Sequence, residues 1–166
     1  MFPFLLSLAR WGAAHSERNA ELWVVGDGLA RGSLRALSLP PNVSVRWVGN
    51  VSYEELPGLY AQAGILAFPT LSDEWGVVVN EAMSAGLPVL GSVYSQAVEE
   101  LVVDGVTGWR FRPDQPSEMD AALEQALSAR LDTLEAMREA GRLRVKDLTP
   151  DGVKDRILEA VRYVCR

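Results

Sequence analysis

Residues 73–88 of this 166-residue chain read Asp-Glu-Trp-Gly-Val-Val-Val-Asn-Glu-Ala-Met-Ser-Ala-Gly-Leu-Pro, and this stretch decides the fold. The apolar run Ile65–Phe68 precedes it, and Pro88–Gly91 follows it. The pattern predicts a strand, a loop, a helix over residues 76–85 that ends at Gly86, and a second strand. Such a strand–helix–strand unit is the building block of a parallel sheet.

The rest of the chain repeats this alternation. Five strands are predicted, at 21–25, 43–48, 65–68, 89–91 and 107–111. Eight helices are predicted, at 3–15, 29–37, 53–63, 76–85, 96–102, 117–130, 132–145 and 151–164. We therefore expect one α/β domain of Rossmann-like type, with a mainly parallel sheet, helices on both faces and a helical C-terminal segment. Its core spans about residues 3–131, and the C-terminal helices span about 132–164.

The composition and net charge of the chain limit the kinds of partner that it can bind. The chain carries a formal net charge of −6, with 48% hydrophobic and 23% charged residues, as in ordinary globular proteins. No basic field is present to recruit nucleic acid. The single cysteine, Cys165, cannot form an intramolecular disulfide, so a cytoplasmic location is expected. The apolar N-terminus lacks a basic start and stops at Arg10, which predicts a core helix and no membrane span.

Three features fall at the carboxyl ends of predicted strands, where open parallel sheets bind ligands. They are Gly26-Asp-Gly28, Gly49-Asn50-Val51 and the loop 69–76. The first is half of a Gly-x-Gly-x-x-Gly fingerprint, since position 31 is Arg, and a plain strand-to-helix turn explains it equally well. With one His and one Cys in the chain, no metal site is expected.

Asp73 and Glu81 stand eight residues apart around the start of the predicted helix. Gly76 and its neighbours would offer free backbone N–H groups there, which is a ready anion site. Glu81, about a turn and a half into the helix, could reach hydroxyl groups beside a bound phosphate. The alternative is that Ser72, Asp73 and Glu74 only cap the helix while Glu81 faces solvent. The spacing alone leaves both interpretations open.

The same residues resemble the Glu-x7-Glu signature of the family 4 glycosyltransferases. Further segments resemble that family in the same order along the chain: Leu22–Gly28, Val45–Gly49, Leu59–Ala63, Phe68-Pro-Thr70 and Glu99–Gly108. The resemblance runs from about residue 3 to 131. It implies a GT-B architecture of two Rossmann-like domains, of which this chain would be the C-terminal, donor-binding one. It also implies transfer of a sugar from a UDP- or GDP-linked donor with retained configuration.

The resemblance implies roles for individual residues. Asp73 would take the first acidic position and contact the transferred sugar, and Glu81 would bind the ribose; these two are the candidate catalytic residues. Backbone N–H groups around Trp75, Gly76 and Val77 would hold the diphosphate. The full set of implied donor-binding residues is Gly26, Gly49, Asn50, Val51, Thr70, Glu74, Trp75, Gly76 and Val77. No cofactor is implied besides the nucleotide sugar itself, which is a substrate.

Two departures from the family pattern qualify these expectations. The first acidic position is Asp73 where the family has Glu, so its carboxylate is one methylene shorter, and Glu74 could partly replace it. The family also places a strand, followed by an Arg and a Lys that grip the diphosphate, before the helix that starts here at Phe2. That strand would lie between 22–25 and 65–68. Either these two strands close the gap, or a partner chain fills it, or the sequence is a piece of a longer enzyme.

We favour an incomplete piece or a separately encoded C-terminal half, completed by an N-terminal GT-B domain or a partner chain. We expect it to be inactive alone. A non-catalytic nucleotide-binding or assembly domain is the alternative. A GT-B nucleotide-sugar epimerase is a third possibility, and it would need acidic and His groups across a cleft, for which only His15 is available.

Overall fold

The computed structural model describes residues 1–165 and shows strands alternating with helices along the chain. The elements in order are α1 (Phe2–Ala14), β1 (Ala20–Val25), α2 (Arg31–Arg35), β2 (Val43–Gly49), α3 (Leu56–Tyr60), β3 (Leu66–Phe68), α4 (Val77–Ser84), β4 (Val89–Ser92), α5 (Gln96–Leu101), β5 (Gly108–Phe111), α6 (Pro116–Ser128), α7 (Leu131–Val145) and α8 (Pro150–Val164). The predicted Rossmann-like α/β class is confirmed.

The strands form two parallel sheets. One contains β1 and β2, with Leu22 beside Val45, and the other has the order β3–β4–β5. All four residues of β4 are buried, as expected for a central parallel strand covered on both faces. Within the described residues, β1 and β3 are not joined by backbone hydrogen bonds. The predicted strands 22–25 and 65–68, which are β1 and β3 here, therefore do not close the gap between them.

Helices cover both faces of the three-stranded sheet. On one face α1 and α6 pack Phe4, Leu8 and Met119 against Leu90. On the other face α4 and α5 pack Val79, Met83 and Val98 against Val89. The first of these clusters also reaches Val43 at the start of β2, and Ala20 and Leu22 of β1 pack against it. This shared apolar layer is what holds the two sheets together.

The apolar N-terminus forms a core helix, as predicted. Phe4, Leu5, Leu8 and Trp11 of α1 are each at most 6% exposed. No helix in the part of the chain that the structure describes is both long and apolar enough to cross a membrane.

Two predicted helices are shorter than expected. The predicted helix 29–37 contracts to α2, and the predicted helix 53–63 contracts to α3. Glu55 accepts a hydrogen bond from the Ser52 N–H at 2.8 Å just before α3, and α3 itself has no side-chain cap. The glycines inside these short helices, Gly32 and Gly58, explain the contraction, because glycine weakens a helix interior. By contrast, the Thr149 side chain caps α8 and accepts a hydrogen bond from the Gly152 N–H.

Asn42 closes the C-terminal end of α1. Its Nδ2 group lies 3.0 Å from the carbonyl oxygen of Gly12, 2.8 Å from that of His15 and 2.7 Å from that of Arg18. Because the last carbonyls of a helix have no partner within the helix, an external donor stabilises them. Asn42 thereby fixes the turn that leads the chain from α1 into β1.

We predict that Asn42→Asp destabilises the protein more than Asn42→Ala. The carboxylate matches the amide in shape but has no donor, so it would face three carbonyl oxygens, at a cost of about 2–3 kcal/mol. Folding should raise the pKa of the new carboxyl group, so its protonated form is favoured in the folded state and the deficit should shrink as pH falls. Urea unfolding at neutral and acidic pH measures this. Equal stability of the two variants at neutral pH would contradict it.

Candidate functional site

The loop before α4 is tied to the loop after β4. The Asp73 N–H donates to the Tyr94 carbonyl at 3.0 Å, and the Ala97 N–H donates to the Trp75 carbonyl at 2.8 Å. The buried Ser95 hydroxyl donates a further, short hydrogen bond to the same Trp75 carbonyl. The loop is therefore fixed from behind by backbone contacts, which leaves its other side for a ligand.

Gly76 occupies a backbone conformation that only glycine adopts without strain. Its φ is +94°, and it immediately precedes α4. A Cβ atom there would lie 2.6 Å from the Ser95 hydroxyl oxygen and 2.9 Å from Cε1 of Phe68. Both the turn and the close approach therefore require glycine at this position.

The first turn of α4 presents free backbone donors. The N–H groups of Gly76, Val77 and Val78 have no hydrogen-bond partner among the described residues. Val77 is 61% exposed, so the turn is open to solvent at this residue, whereas Gly76 is buried and Val78 is half-buried. Free N–H groups and the positive end of the helix dipole favour an anion at this position.

Glu81 lies on the same face of α4 as Val77, four residues further on. Its Oε2 accepts a hydrogen bond from the Tyr60 hydroxyl at 3.0 Å. Burial, together with this hydrogen bond to Glu81, raises the pKa of Tyr60, so the hydroxyl remains a donor throughout the neutral range. Glu81 is therefore a half-buried, oriented carboxylate with one oxygen left for a ligand.

Asp73 has a structural contact of its own. Its Oδ1 accepts from the Trp75 N–H at 3.1 Å, which is a turn in the loop and not a cap on α4. The residue at the helix N-cap is Gly76, without a side-chain hydrogen bond. The Trp75 N–H, one of those expected to hold a diphosphate, is thus occupied in this structure, while the indole of Trp75 donates to Asn80 at 3.0 Å.

The remaining residues predicted in this loop lie beside the same turn. The Thr70 hydroxyl donates to the Ser72 carbonyl at 2.9 Å and accepts from the Ser72 N–H, which closes the start of the loop. Glu74 is exposed. The structure therefore brings together seven of the predicted residues around the start of α4: Thr70, Asp73, Glu74, Trp75, Gly76, Val77 and Glu81.

The other four predicted residues belong to the two-stranded sheet. The Gly26 N–H donates to the Gly49 carbonyl at 2.7 Å, and both glycines have positive φ angles. Asn50 is exposed and Val51 is half-buried immediately after Gly49. This group lies at the carboxyl ends of β1 and β2, across the gap from the α4 group.

Sequence reasoning missed Tyr60 and Ser95. Tyr60 lies in the predicted helix 53–63, whose residues Leu59–Ala63 resemble the family, but nothing in that pattern indicates a role for its hydroxyl. The signal for Ser95 was weak, because a serine before a short helix is an ordinary N-cap. The signal for Tyr60 was absent, because contact with Glu81 depends on how α3 and α4 pack. Within residues 1–165, no cluster of three His, Cys, Asp or Glu side chains could hold a metal ion.

Comparison with known proteins places the chain in a family. The sequence profile described as "Glycosyl transferases group 1" matches residues 5–144. The chain belongs to the group 1 glycosyltransferases. Among curated relatives, a sucrose synthase from Denitrovibrio acetiphilus is 30% identical over 135 residues, which cover 69% of this chain and 17% of that protein. The alpha-D-kanosaminyltransferase of Streptomyces kanamyceticus is 29% identical over 114 residues, which cover 66% of this chain and 29% of that protein.

Solved structures share the fold of this group 1 glycosyltransferase chain. HepE from Anabaena, solved with UDP and glucose, superposes with a TM-score of 0.74 at 19% identity, covering 98% of this chain and 44% of that one. The C-terminal domain of LpcC, a group 1 family protein from Francisella tularensis, superposes with a TM-score of 0.67 at 14% identity, covering 87% and 76% respectively. The chain therefore spans less than a third of the two curated relatives named above and less than half of HepE.

We predict that Gly76→Ala destabilises the protein by about 2–4 kcal/mol. The positive φ disfavours alanine, and the added Cβ would displace Ser95 and Phe68. Gly58→Ala is the matched control, because Gly58 lies inside α3 with nothing within 4 Å of its Cβ position. The control should be more stable than the parent by about 0.5–1 kcal/mol. Thermal or urea unfolding distinguishes the two; similar effects of both substitutions would contradict the strained turn.

We predict that the turn made by Asp73 needs an acceptor oxygen and not a charge. Asp73→Asn keeps the acceptor, so its stability should stay within about 0.5 kcal/mol of the parent, while Asp73→Ala should lose about 1 kcal/mol. Urea unfolding of both variants measures the difference. A loss in Asp73→Asn equal to that in Asp73→Ala would show that the charge, and not the turn, is what matters.

Proposed function

We propose that this chain forms the nucleotide-sugar donor site of a retaining glycosyltransferase. The observation that carries the proposal is the pairing, on one face of α4, of free N–H groups at its first turn with the oriented carboxylate of Glu81. An anion and a neighbouring pair of hydroxyl groups are what this arrangement binds best. A nucleoside diphosphate carries both.

In the proposed site the diphosphate lies against the N–H groups of Gly76 and Val77, and the ribose hydroxyls donate to the free oxygen of Glu81. The Tyr60 hydroxyl already orients the Glu81 carboxylate, so the Glu81 side chain does not have to become ordered when the ligand binds. Gly49, Asn50 and Val51 lie near the base, on the other side of the gap. Two structural neighbours, HepE and a pneumococcal O-GlcNAc transferase, were solved in complex with UDP, which supports UDP among the candidate donors.

The proposed reaction is transfer of the glycosyl group to an acceptor with retained configuration. As the sugar departs, negative charge grows on the diphosphate, and the N–H groups at the start of α4 stabilise it. Asp73 contacts the transferred sugar, and Glu74 lies close enough in sequence to supplement it. The acceptor-binding site and the remaining basic groups come from an N-terminal GT-B domain or a partner chain, so the 166-residue chain alone is inactive.

Calorimetry with UDP, GDP and ADP tests the donor site. One nucleotide should bind, and Glu81→Ala should weaken it by about tenfold or more, because a hydrogen bond to a charged group contributes about 1.5–3 kcal/mol. Glu135→Ala, an exposed glutamate on α7, is the matched control and should bind like the parent.

The outcomes separate the candidate functions. Nucleotide binding that Glu81→Ala leaves unchanged would place the ligand elsewhere and contradict the proposed site. Absence of binding by any of the three nucleotides would favour the non-catalytic assembly domain, or a donor site that is completed only by another domain or chain. Hydrolysis of a nucleotide sugar by the parent chain, abolished in Glu81→Ala, would support the site but contradict inactivity of the isolated chain.

A further inference from the structure

The outer edge of β2 is an unpaired strand edge at the rim of the two-stranded sheet. Within residues 1–165, β2 has β1 as its only strand partner. The Ala20 N–H donates to the carbonyl just before β2, so by the alternation of a parallel ladder Ser44 and Arg46 direct their backbone groups toward β1. Val45 and Trp47 therefore direct their N–H and C=O groups outward, where they meet no backbone partner among the described residues.

This edge lacks the features that usually keep strand edges apart. The strand is 7 residues long, reads Val-Ser-Val-Arg-Trp-Val-Gly, and contains no proline and a single charged side chain. The irregularity in its pairing with β1 falls at Val48, beyond the outward-facing positions 45 and 47. Edge strands are normally protected by proline, by several charges or by a bulge within the strand. An edge without these features favours pairing with another strand edge.

One face of the two-stranded sheet carries two exposed side chains of opposite charge. Glu21 of β1 lies beside Ser44 of β2, and Trp23 lies beside Arg46. The guanidinium carbon of Arg46 is 4.7 Å from the centroid of the Trp23 ring. Glu21, Ser44 and Arg46 are all exposed. The acidic and the basic position of this face are therefore both accessible to a partner molecule.

We propose that the outer edge of β2 pairs with β2 of a second copy of this chain, so that two two-stranded sheets become one continuous sheet across a two-fold axis. The two-fold axis makes the two β2 strands antiparallel. When the axis passes through Val45, each Val45 exchanges both of its backbone hydrogen bonds with the partner's Val45. Each Trp47 N–H then donates to the partner's Val43 carbonyl. Both outward-facing donors of the edge thus gain an acceptor.

Charge complementarity selects Val45 as the centre of the pairing. In this register the partner's Arg46 lies opposite Ser44, so its guanidinium can reach over the small serine side chain to Glu21. By symmetry this pair of charges forms twice. A centre at Arg46 would place two arginines directly opposite each other, which destabilises a sheet. A centre at Trp47 would bring the irregular end of β2 into the new ladder and leave Glu21 without a cation.

The opposite face of the same pairing is apolar. Leu22 lies beside Val45, both side chains are half-buried, and the partner supplies the same two side chains across the axis. Burial of this row adds a hydrophobic contribution to the backbone hydrogen bonds. A contact of one strand from each copy is small, so we expect a dissociation constant of about 10–100 μM. The pairing does not rest on the proposed function, because residues 43–47 take no part in the donor site.

Sedimentation equilibrium of the whole chain, from about 1 μM to about 1 mM, tests the association. The average mass should rise toward twice the monomer mass. Over the same range, amide exchange at Val45 and Trp47, followed by nuclear magnetic resonance, should slow about five- to tenfold, because only the monomer leaves these groups unpaired. The amides of Ser44 and Arg46 are internal controls, since they already face β1. A monomer throughout this range, or a dimer without protection of Val45 and Trp47, would overturn the proposal.

Two charge reversals test the register. Glu21→Arg alone and Arg46→Glu alone each place like charges at both symmetric positions, so each variant should dimerise about tenfold more weakly than the parent. An equimolar mixture of the two variants restores opposite charges at both positions and should form a heterodimer with about the parent's affinity. An effect within one chain cannot produce this rescue. Glu17→Arg, at an exposed glutamate outside the edge, is the control and should not rescue Arg46→Glu. Failure of the mixture to form the heterodimer would contradict the pairing.

A proline in the strand tests the backbone contact. Val45→Pro removes an N–H group that faces away from β1, and proline is tolerated at such an edge position, so the circular dichroism spectrum should stay like that of the parent. The dimer should be lost. If this variant does not fold, the mixture of charge reversals still decides the question. A dimer that survives both Val45→Pro and the charge reversals would place the contact elsewhere, for example on the exposed apolar side chains of α8, and would overturn the edge pairing.

Discussion

The constraint on which this structure depends is that a buried parallel strand needs a backbone partner on each side. β4 satisfies it, with β3 and β5 as neighbours. β1 and β3 satisfy it on one side only, and apolar packing by α1 and α6 holds their sheets together without a ladder between them. The helical layers on both faces are thus present, but the sheet between them is divided into two parts. Any binding site whose geometry depends on the distance between β1 and β3 is divided in the same way.

The candidate site is divided along the same line. Its α4 half is fixed by a dense set of local contacts: Asp73 to Tyr94, Ala97 to Trp75, and Gly76 against Phe68. Its β1–β2 half is fixed by the contact of Gly26 with Gly49. The hydrogen bonds of each half lie within one sheet and its adjoining loops, so they do not fix the distance between the two halves. A ligand that spans both halves binds well only when their separation is also fixed, since ordering them on binding would cost affinity.

Sequence patterns predicted the elements whose formation depends on neighbouring residues in the chain. The alternation of apolar runs and glycine-ended helices located all five strands to within about two residues, and Gly76 followed from its place between Trp75 and the apolar helix. The lengths of α2 and α3 were overestimated, because apolar periodicity outweighed the glycines inside them. The Tyr60–Glu81 bond and the Ser95 contact could not be predicted, because each joins side chains whose distance is set by packing. Asp73 shows the same limit: its sequence position suggested a ligand contact or a helix cap, and its hydrogen bond is to the loop.

The balance of charges at the proposed donor site follows from the same geometry. A helix N-terminus stabilises an anion by about 0.3–1 kcal/mol, whereas each hydrogen bond between a basic side chain and a phosphate contributes about 1.5–3 kcal/mol. Asp73, Glu74 and Glu81 add negative charge near the start of α4, and the Arg and Lys of the family pattern are not among these 166 residues. In the proposed site α4 therefore orients the diphosphate, and basic groups from another domain or chain supply most of its affinity. Nucleotide recognition by Glu81 and stabilisation of the departing diphosphate therefore depend on different groups in the proposed site.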